Sequence, residues 1–304
     1  MEKASFNHLL SQIQAGDRKA LARAISLVEN SVPGYEAFLQ SLPVSCTPVI
    51  GITGPPGAGK STLVDALIGE WVAAGKTVGI LCVDPSSPFN LGALLGDRIR
   101  MSEWYTNTQV FIRSLATRGS LGGLHPAIIE ITDIMKVAGF DYVIVETVGV
   151  GQSEVEIAGL ADTTVVVMVP EAGDEVQTMK AGLMEIADVF VVNKADRADA
   201  DMFARNLRLM MAPAFYTKKH EIAIIKTEAN NKKGIDELAM AIDKHLSEHI
   251  DNQRKYWLLA EKAWQLIQAK RMAGLTKNAL KEQIRSHFEN EEPWNIYRFI
   301  KAFE

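Results

Sequence analysis

The octet Gly54-Pro55-Pro56-Gly57-Ala58-Gly59-Lys60-Ser61 fits the pattern G-x-x-x-x-G-K-S/T, and its flanks narrow the fold more than any other stretch. Val49-Ile50-Gly51-Ile52-Thr53 reads as a buried strand entering the loop, and Thr62-Leu63-Val64-Asp65-Ala66-Leu67 reads as the opening of a helix. In a strand–loop–helix setting the glycines let successive backbone N–H groups turn inward around phosphate oxygens. The helix N-terminus adds positive potential at the same place. Residues Gly54 through Thr62 are therefore expected to cradle phosphate, with Lys60 reaching the β- and γ-phosphates and the Ser61 hydroxyl ligating Mg²⁺.

A second motif answers the first. Asn193-Lys194-Ala195-Asp196 follows the apolar run Val189-Phe190-Val191-Val192. A carboxylate at Asp196 can accept from the N1–H and the exocyclic amine of guanine, which adenine does not offer. The pair of motifs points to GTP and GDP. Thr227-Glu228-Ala229 stands where a Ser-Ala pair usually meets guanine O6, and the Ala229 N–H is the group left to serve there.

Apolar strand-like runs at 49–53, 78–83, 110–112, 142–146, 164–169, 189–192 and 222–226 alternate with helical patterns such as 127–137 and 175–186. This alternation predicts an α/β P-loop NTPase domain with a mostly parallel sheet and helices on both faces, ligands lying beyond the carboxyl ends of the strands. Residues 1–45 read as a helical segment, with Asp17 as an N-cap, and 46–249 as the nucleotide domain. Residues 250–304 read as helical again, with an aromatic stripe through Trp257, Trp264, Phe288, Trp294 and Tyr297. A stripe of that size favours a dimerisation arm over a simple cap.

A net charge of −5 gives no basic footprint for nucleic acid or an anionic membrane surface. Cys46 and Cys82 are the only cysteines, too few for a disulfide framework, and both are expected as small core hydrophobes. The opening residues show neither an apolar signal segment nor an Arg-rich presequence, and no uncharged run reaches membrane-spanning length. The expectation is a cytoplasmic protein.

Between the two motifs, Phe140-Asp141-Tyr142-Val143-Ile144-Val145-Glu146-Thr147-Val148-Gly149 is an apolar strand closed by a carboxylate and a glycine. Glu146 stands where GTPases carry the Mg²⁺-holding aspartate, and the Gly149 N–H is placed to sense the γ-phosphate. Val150 occupies the position of the water-positioning glutamine of Ras-like proteins, so slow intrinsic hydrolysis is expected, with Gln152 a weak substitute. Asp84, after a strand, and Asp97, in a Gly-flanked turn, add hard oxygen ligands for Mg²⁺. Arg98, Arg100, Arg113 and Arg118 make this region locally cationic.

The stretch 84–101, the segment Arg113-Ser114-Leu115-Ala116-Thr117-Arg118-Gly119-Ser120-Leu121-Gly122-Gly123 and the block Glu146-Thr147-Val148-Gly149-Val150-Gly151-Gln152-Ser153-Glu154 resemble the ArgK/MeaB family, the methylmalonyl-CoA mutase-associated GTPases. The likeness extends over nearly the whole chain. It implies a homodimeric GTPase that gates adenosylcobalamin loading of an acyl-CoA mutase and protects or reactivates that enzyme. It also implies Ser61, Asp84, Asp97 and Glu146 around Mg²⁺, and nucleotide-responsive segments at 84–100, 146–158 and 170–180, the last carrying Gln177 and Lys180 as couplers to the mutase. Asn90-Leu91-Gly92 departs from the glycine pair expected there, which stiffens that segment. A metallochaperone GTPase of the nickel-insertion type and a protein kinase linked to amino-acid transport are the competing readings.

Overall fold

The computed structural model describes residues 2–84, 101–117, 124–147, 153–170, 181–215, 222–248, 252–289 and 294–303. The chain divides into two compact units, Met1–Lys255 and Tyr256–Glu304.

The first unit is built on seven parallel strands: β1 (Val49–Thr53), β2 (Val78–Asp84), β3 (Val110–Ala116), β4 (Tyr142–Glu146), β5 (Thr163–Met168), β6 (Val189–Asn193) and β7 (Ala223–Thr227). Their order across the sheet is β3-β2-β4-β1-β5-β6-β7. The strand entering the glycine-rich loop is therefore central. β1, β2, β5 and β6 are buried along their whole length, the pattern of strands covered on both faces. The edge strand β3 runs to Ala116, four residues past the apolar stretch that marks it in the sequence. It continues through Arg113 and Ser114 because each of its seven residues stays in parallel register with β2.

One face of the sheet is covered by α4 (Lys60–Ala73) and α9 (Ile235–Ser247). Leu63, Val64, Leu67 and Ile68 of α4 and Leu238 and Ile242 of α9 share a core with Ile50, Ile52, Ile80 and Val191. On the other face, α6 (Ser153–Leu160), α7 (Ala181–Ile186) and α8 (Ala200–Phe215) join Ala158, Ile186, Phe203 and Leu207 to Val166, Phe190 and Val192. Strand residues of alternate parity thus feed two separate cores. α5 (Ile128–Lys136) lies between β3 and β4 in sequence.

The N-terminal helices α1 (Glu2–Gln14), α2 (Arg18–Glu29) and α3 (Tyr35–Gln40) belong to this first unit. Asp17 caps α2, its side chain accepting from the N–H groups of Lys19 at 2.8 Å and Ala20 at 3.1 Å. Gly16, at φ 87°, makes the left-handed turn between α1 and α2. Arg18 lies 4.0 Å above the Phe140 ring and donates to the Ala138 carbonyl. Burial of the guanidinium lowers its pKa. Cys82 is buried in β2, but Cys46 is exposed. The expectation of a core Cys46 is corrected by its setting, an irregular link held by the Ser45 and Thr47 hydroxyls on the Lys136 carbonyl.

The second unit carries α10 (Gln253–Arg271, which begins in the first unit), α11 (Lys277–Glu289) and α12 (Ile296–Ile300). Trp294 stands 5.3 Å from both Phe288 and Phe299, ring centre to ring centre, and His287 meets Phe299 edge-on at 5.8 Å. None of the three helices buries a residue, and Trp257 is 79% exposed. Among the described residues no helix is long and apolar enough to cross a membrane.

Candidate functional site

The glycine-rich loop owes its path to three glycines at positive φ: Gly54 at 140°, Gly57 at 78° and Gly59 at 88°. Gly54 is also sterically required, since a Cβ there would lie 2.0 Å from the Val167 carbonyl oxygen. A Cβ on Gly59 would lie 2.4 Å from Asn193 Nδ2. The loop therefore follows β1 closely against β5 and the end of β6. Lys60, in the first turn of α4 and buried, donates through Nζ to the carbonyls of Gly54 at 2.9 Å and Pro55 at 3.1 Å. Its ammonium is thus held over the loop that carries it. Pro56 and Gly57 are exposed, whereas Ala58 is buried, and Thr62 is half-buried beside Ser61 on α4.

Strand register assembles the acidic side of the site. Glu146 stands opposite both Ile52 and Cys82, so the three side chains share the α4 face of the sheet. Asp84, two residues beyond Cys82, returns to that face. Ser61 Oγ donates to Glu146 Oε1 at 2.7 Å across the gap from α4 to β4. Ser61, Asp84 and Glu146 are respectively 7%, 3% and 3% exposed, so three hard oxygen donors lie buried beside the phosphate loop. Thr147 Oγ1 donates to Thr53 Oγ1 at 2.9 Å, tying the end of β4 to the end of β1.

The second motif is joined to the first through Asn193. Its Nδ2 donates to the Ala58 carbonyl at 2.9 Å, and its Oδ1 accepts from Thr227 Oγ1 at 3.1 Å and from the Ala229 N–H at 3.2 Å. Lys194, at φ 57°, donates through Nζ to the Gly57 carbonyl at 2.8 Å. The Ala195 N–H bonds the Thr227 carbonyl at 3.0 Å, and Asp196 follows with an exposed side chain at the mouth of this cluster. The Ala229 N–H, read from the sequence as meeting guanine, donates to Asn193 here. Glu228 is turned aside: its carboxylate takes Asn231 Nδ2 at 2.9 Å and Lys233 Nζ at 3.0 Å. The bonds from Asn231 and then Lys233 hold its carboxyl below the usual range.

The structure thus gathers Gly54 to Thr62, Asp84, Glu146, Asn193, Lys194, Asp196, Thr227 and Ala229 at the carboxyl ends of β1, β2, β4, β6 and β7. Asp97, Gly149, Gln152 and Lys180 lie outside the described residues, as do Arg98, Arg100, Arg118 and Gln177. Three contacts were not anticipated from the sequence: the Thr53–Thr147 pair, the Trp104 indole donating to Asp65 of α4 at 2.7 Å, and the Glu29–Arg113 pair at 2.8 Å. The first had a signal, a threonine closing one apolar strand run and another just beyond a second. The others join residues 39 and 84 apart in sequence, and no local pattern announces them.

The sequence matches the family described as Methylmalonyl Co-A mutase-associated GTPase MeaB over residues 21–289. A Pyrococcus horikoshii protein named as a GTPase is 50% identical over 244 residues, covering 79% of this chain and 77% of the relative. The mouse protein named methylmalonic aciduria type A homolog, mitochondrial, is 31% identical, with 93% of this chain and 74% of the relative aligned. A crystal structure titled LAO/AO transport system kinase superposes with a TM-score of 0.69 at 26% identity, covering 100% of this chain and 98% of the other. With the glycine-rich loop, the guanine motif and the parallel sheet in place, the chain belongs to the methylmalonyl-CoA mutase-associated GTPase family, MeaB.

Proposed function

We propose that this GTPase is a nucleotide-switched chaperone of an adenosylcobalamin-dependent acyl-CoA mutase. In this reading it gates cofactor loading and protects or reactivates the client. The observation that carries the nucleotide half is the joint between the two motifs, Asn193 Nδ2 on the Ala58 carbonyl, which makes one site of the phosphate loop and the guanine loop. The client is supported by the family's description and by the name of the mouse relative.

Phosphate enters a loop whose N–H groups are already turned by Gly54, Gly57 and Gly59. Lys60 Nζ exchanges the Gly54 and Pro55 carbonyls for β- and γ-phosphate oxygens, a short movement of a charge already on station. The buried oxygen set of Ser61, Glu146 and Asp84 fits Mg²⁺, a hard cation that takes oxygen ligands. When bound, Mg²⁺ neutralises charge developing on the transferred phosphoryl group. Asp97 is proposed beside this set, Gly149 at the γ-phosphate, Gln152 near the attacking water and Lys180 at the mutase. These four assignments rest on sequence.

Asp196 selects guanine, and slow turnover leaves the client to supply catalytic help. The exposed stripe of α10, with Trp257, Trp264 and Ile267, supports assembly of two copies through the second unit. A net charge of −5, with no helix among the described residues long and apolar enough to cross a membrane, gives this reading no nucleic-acid or membrane partner, and a cytoplasmic setting is proposed with it.

The test is GTP hydrolysis by the purified protein, alone and with an acyl-CoA mutase from the same organism, beside the mutase affinity of the GTP and GDP forms. Stimulated hydrolysis and a tenfold affinity difference, about 1.4 kcal/mol of coupling, are the expected results. Equal affinity in both states with no stimulation removes the switch.

A further inference from the structure

The loop after β7 closes on itself. Glu228 and Lys233 form an antiparallel bridge, with the Glu228 N–H on the Lys233 carbonyl at 3.1 Å and the return bond at 3.3 Å. Inside it, the Asn231 N–H bonds the Glu228 carbonyl at 2.9 Å and the Lys232 N–H bonds the Ala229 carbonyl at 3.2 Å. The turn needs left-handed backbone at Lys232 (φ 54°) and Gly234 (φ 70°). A Cβ on Gly234 would sit 2.2 Å from the Lys226 carbonyl oxygen, so the loop returns tightly onto β7. Over this backbone ring the Glu228 side chain adds a second closure, with Oε2 taking Asn231 Nδ2 at 2.9 Å and Oε1 taking Lys233 Nζ at 3.1 Å. Ala229 sits within the ring, 6% exposed, its N–H reaching Asn193 Oδ1 at 3.2 Å, the long end of the hydrogen-bond range.

We infer that Glu228 is a positioning residue for guanine recognition: its carboxylate, clasped to Asn231 and Lys233, fixes the Ala229 amide where it meets the base O6. This rests on the reading of the loop as the guanine site. A serine at this position could reach only its nearest neighbours. The longer carboxylate reaches three and five residues ahead and braces the ring from outside, so the amide meets O6 already oriented, at a lower ordering cost on binding. The Asn193 side-chain oxygen Oδ1 gives the amide a second acceptor that holds its direction, with Thr227 Oγ1 donating to the same oxygen.

The experiment is a cycle of protein variant against base analogue, read by calorimetric titration with GDP and with 2-aminopurine riboside diphosphate, which keeps the exocyclic amine and lacks O6 and the N1 proton. The change each variant makes, not the parent's difference, therefore reports on O6. The proteins are the full chain, Glu228→Ala, Lys233→Ala and the exchanged pair Glu228→Lys with Lys233→Glu. Both single variants are expected to weaken GDP about fivefold and the analogue less than twofold, with the exchange recovering most of the loss. Lys233→Ala leaves the residue preceding Ala229 untouched, so the cycle survives a Glu228 variant that folds poorly. Equal loss for both ligands, or none, overturns the clasp while the parent's own preference for GDP leaves the guanine reading standing. A parent chain that binds both ligands equally overturns both.

Discussion

Asn193 Nδ2 lies 2.9 Å from the Ala58 carbonyl oxygen, a bond that spans 135 residues and joins the end of β6 to the phosphate loop. Its Oδ1 holds Thr227 and Ala229 on the other side, so one side chain links the two segments proposed to read opposite ends of a nucleotide.

Replacing Asn193 by Ala leaves the Ala58 carbonyl, the Thr227 hydroxyl and the Ala229 amide without this partner. All three residues are buried. The expected cost is about 2–4 kcal/mol of unfolding free energy, measured by urea titration, together with weaker GDP binding. Asn193→Asp separates the two roles, because it keeps the acceptor and loses the donor to Ala58. It should retain the Thr227 and Ala229 contacts and still weaken nucleotide binding; wild-type affinity in this variant would show that the joint to the phosphate loop does not matter.

The glycines of the phosphate loop are not equivalent. A methyl at Gly57 meets nothing within 4 Å, so Gly57→Ala carries only the left-handed backbone penalty of about 1–2 kcal/mol. At Gly54 the same methyl would lie 2.0 Å from the Val167 carbonyl oxygen, and β1 would have to separate from β5. Gly54→Ala should cost about 3 kcal/mol or more, or fail to fold. Thermal unfolding of the two variants decides it, and a Gly57 variant equal to or worse than Gly54 contradicts the steric argument.

The contrast shows what the sequence could and could not convey. Glycine spacing marks a phosphate loop because a backbone demand is local, and the strand before it is legible because apolar runs are local. The parallel order was foreseeable as a class, since alternating strands and helices admit few arrangements. The Glu146–Ser61 meeting was foreseeable from motif analogy alone, because it depends on register between strands distant in sequence. Clasps such as Glu228 to Lys233 leave no such trace. A carboxylate three to five residues before an amide and an amine is an ordinary surface pattern, and only the turn at Lys232 and Gly234 brings the groups together. Cys46 shows the reverse failure, since a small apolar residue says nothing about whether its segment offers it a place to hide.

Glu29, at the end of α2, ties the N-terminal helices to the edge strand β3. Its Oε2 accepts from Arg113 Nη2 at 2.8 Å, and Arg113 also reaches Ser26 Oγ at 3.0 Å. The two side chains are 13% and 24% exposed, so removing Glu29 leaves a partly buried guanidinium without its carboxylate. Glu29→Ala should cost about 2 kcal/mol, less than a fully buried pair and more than a surface one. Arg113→Ala combined with it should cost less than the sum of the singles, and strict additivity in urea titrations would mean the pair does not interact.

Asp141 gives the fold a pH dependence remote from the nucleotide. Burial acts to raise its pKa. The Thr77 N–H and Thr77 hydroxyl, each at 2.8 Å, together with Lys76 at 3.5 Å, outweigh that and lower it. A carboxyl whose folded pKa lies below its unfolded value, about 3.9, stabilises the fold above that value. The contribution is lost as pH falls through the folded pKa. These bonds join the residue before β2 to the residue before β4, at the end of the sheet away from the phosphate loop. Asp141→Asn should therefore lower the urea midpoint at pH 7, with the gap to the parent protein narrowing below about pH 4 as the parent's carboxyl protonates. GDP affinity at pH 7 should not change. A gap that stays constant from pH 7 to pH 3 would assign the effect to packing rather than to the charge.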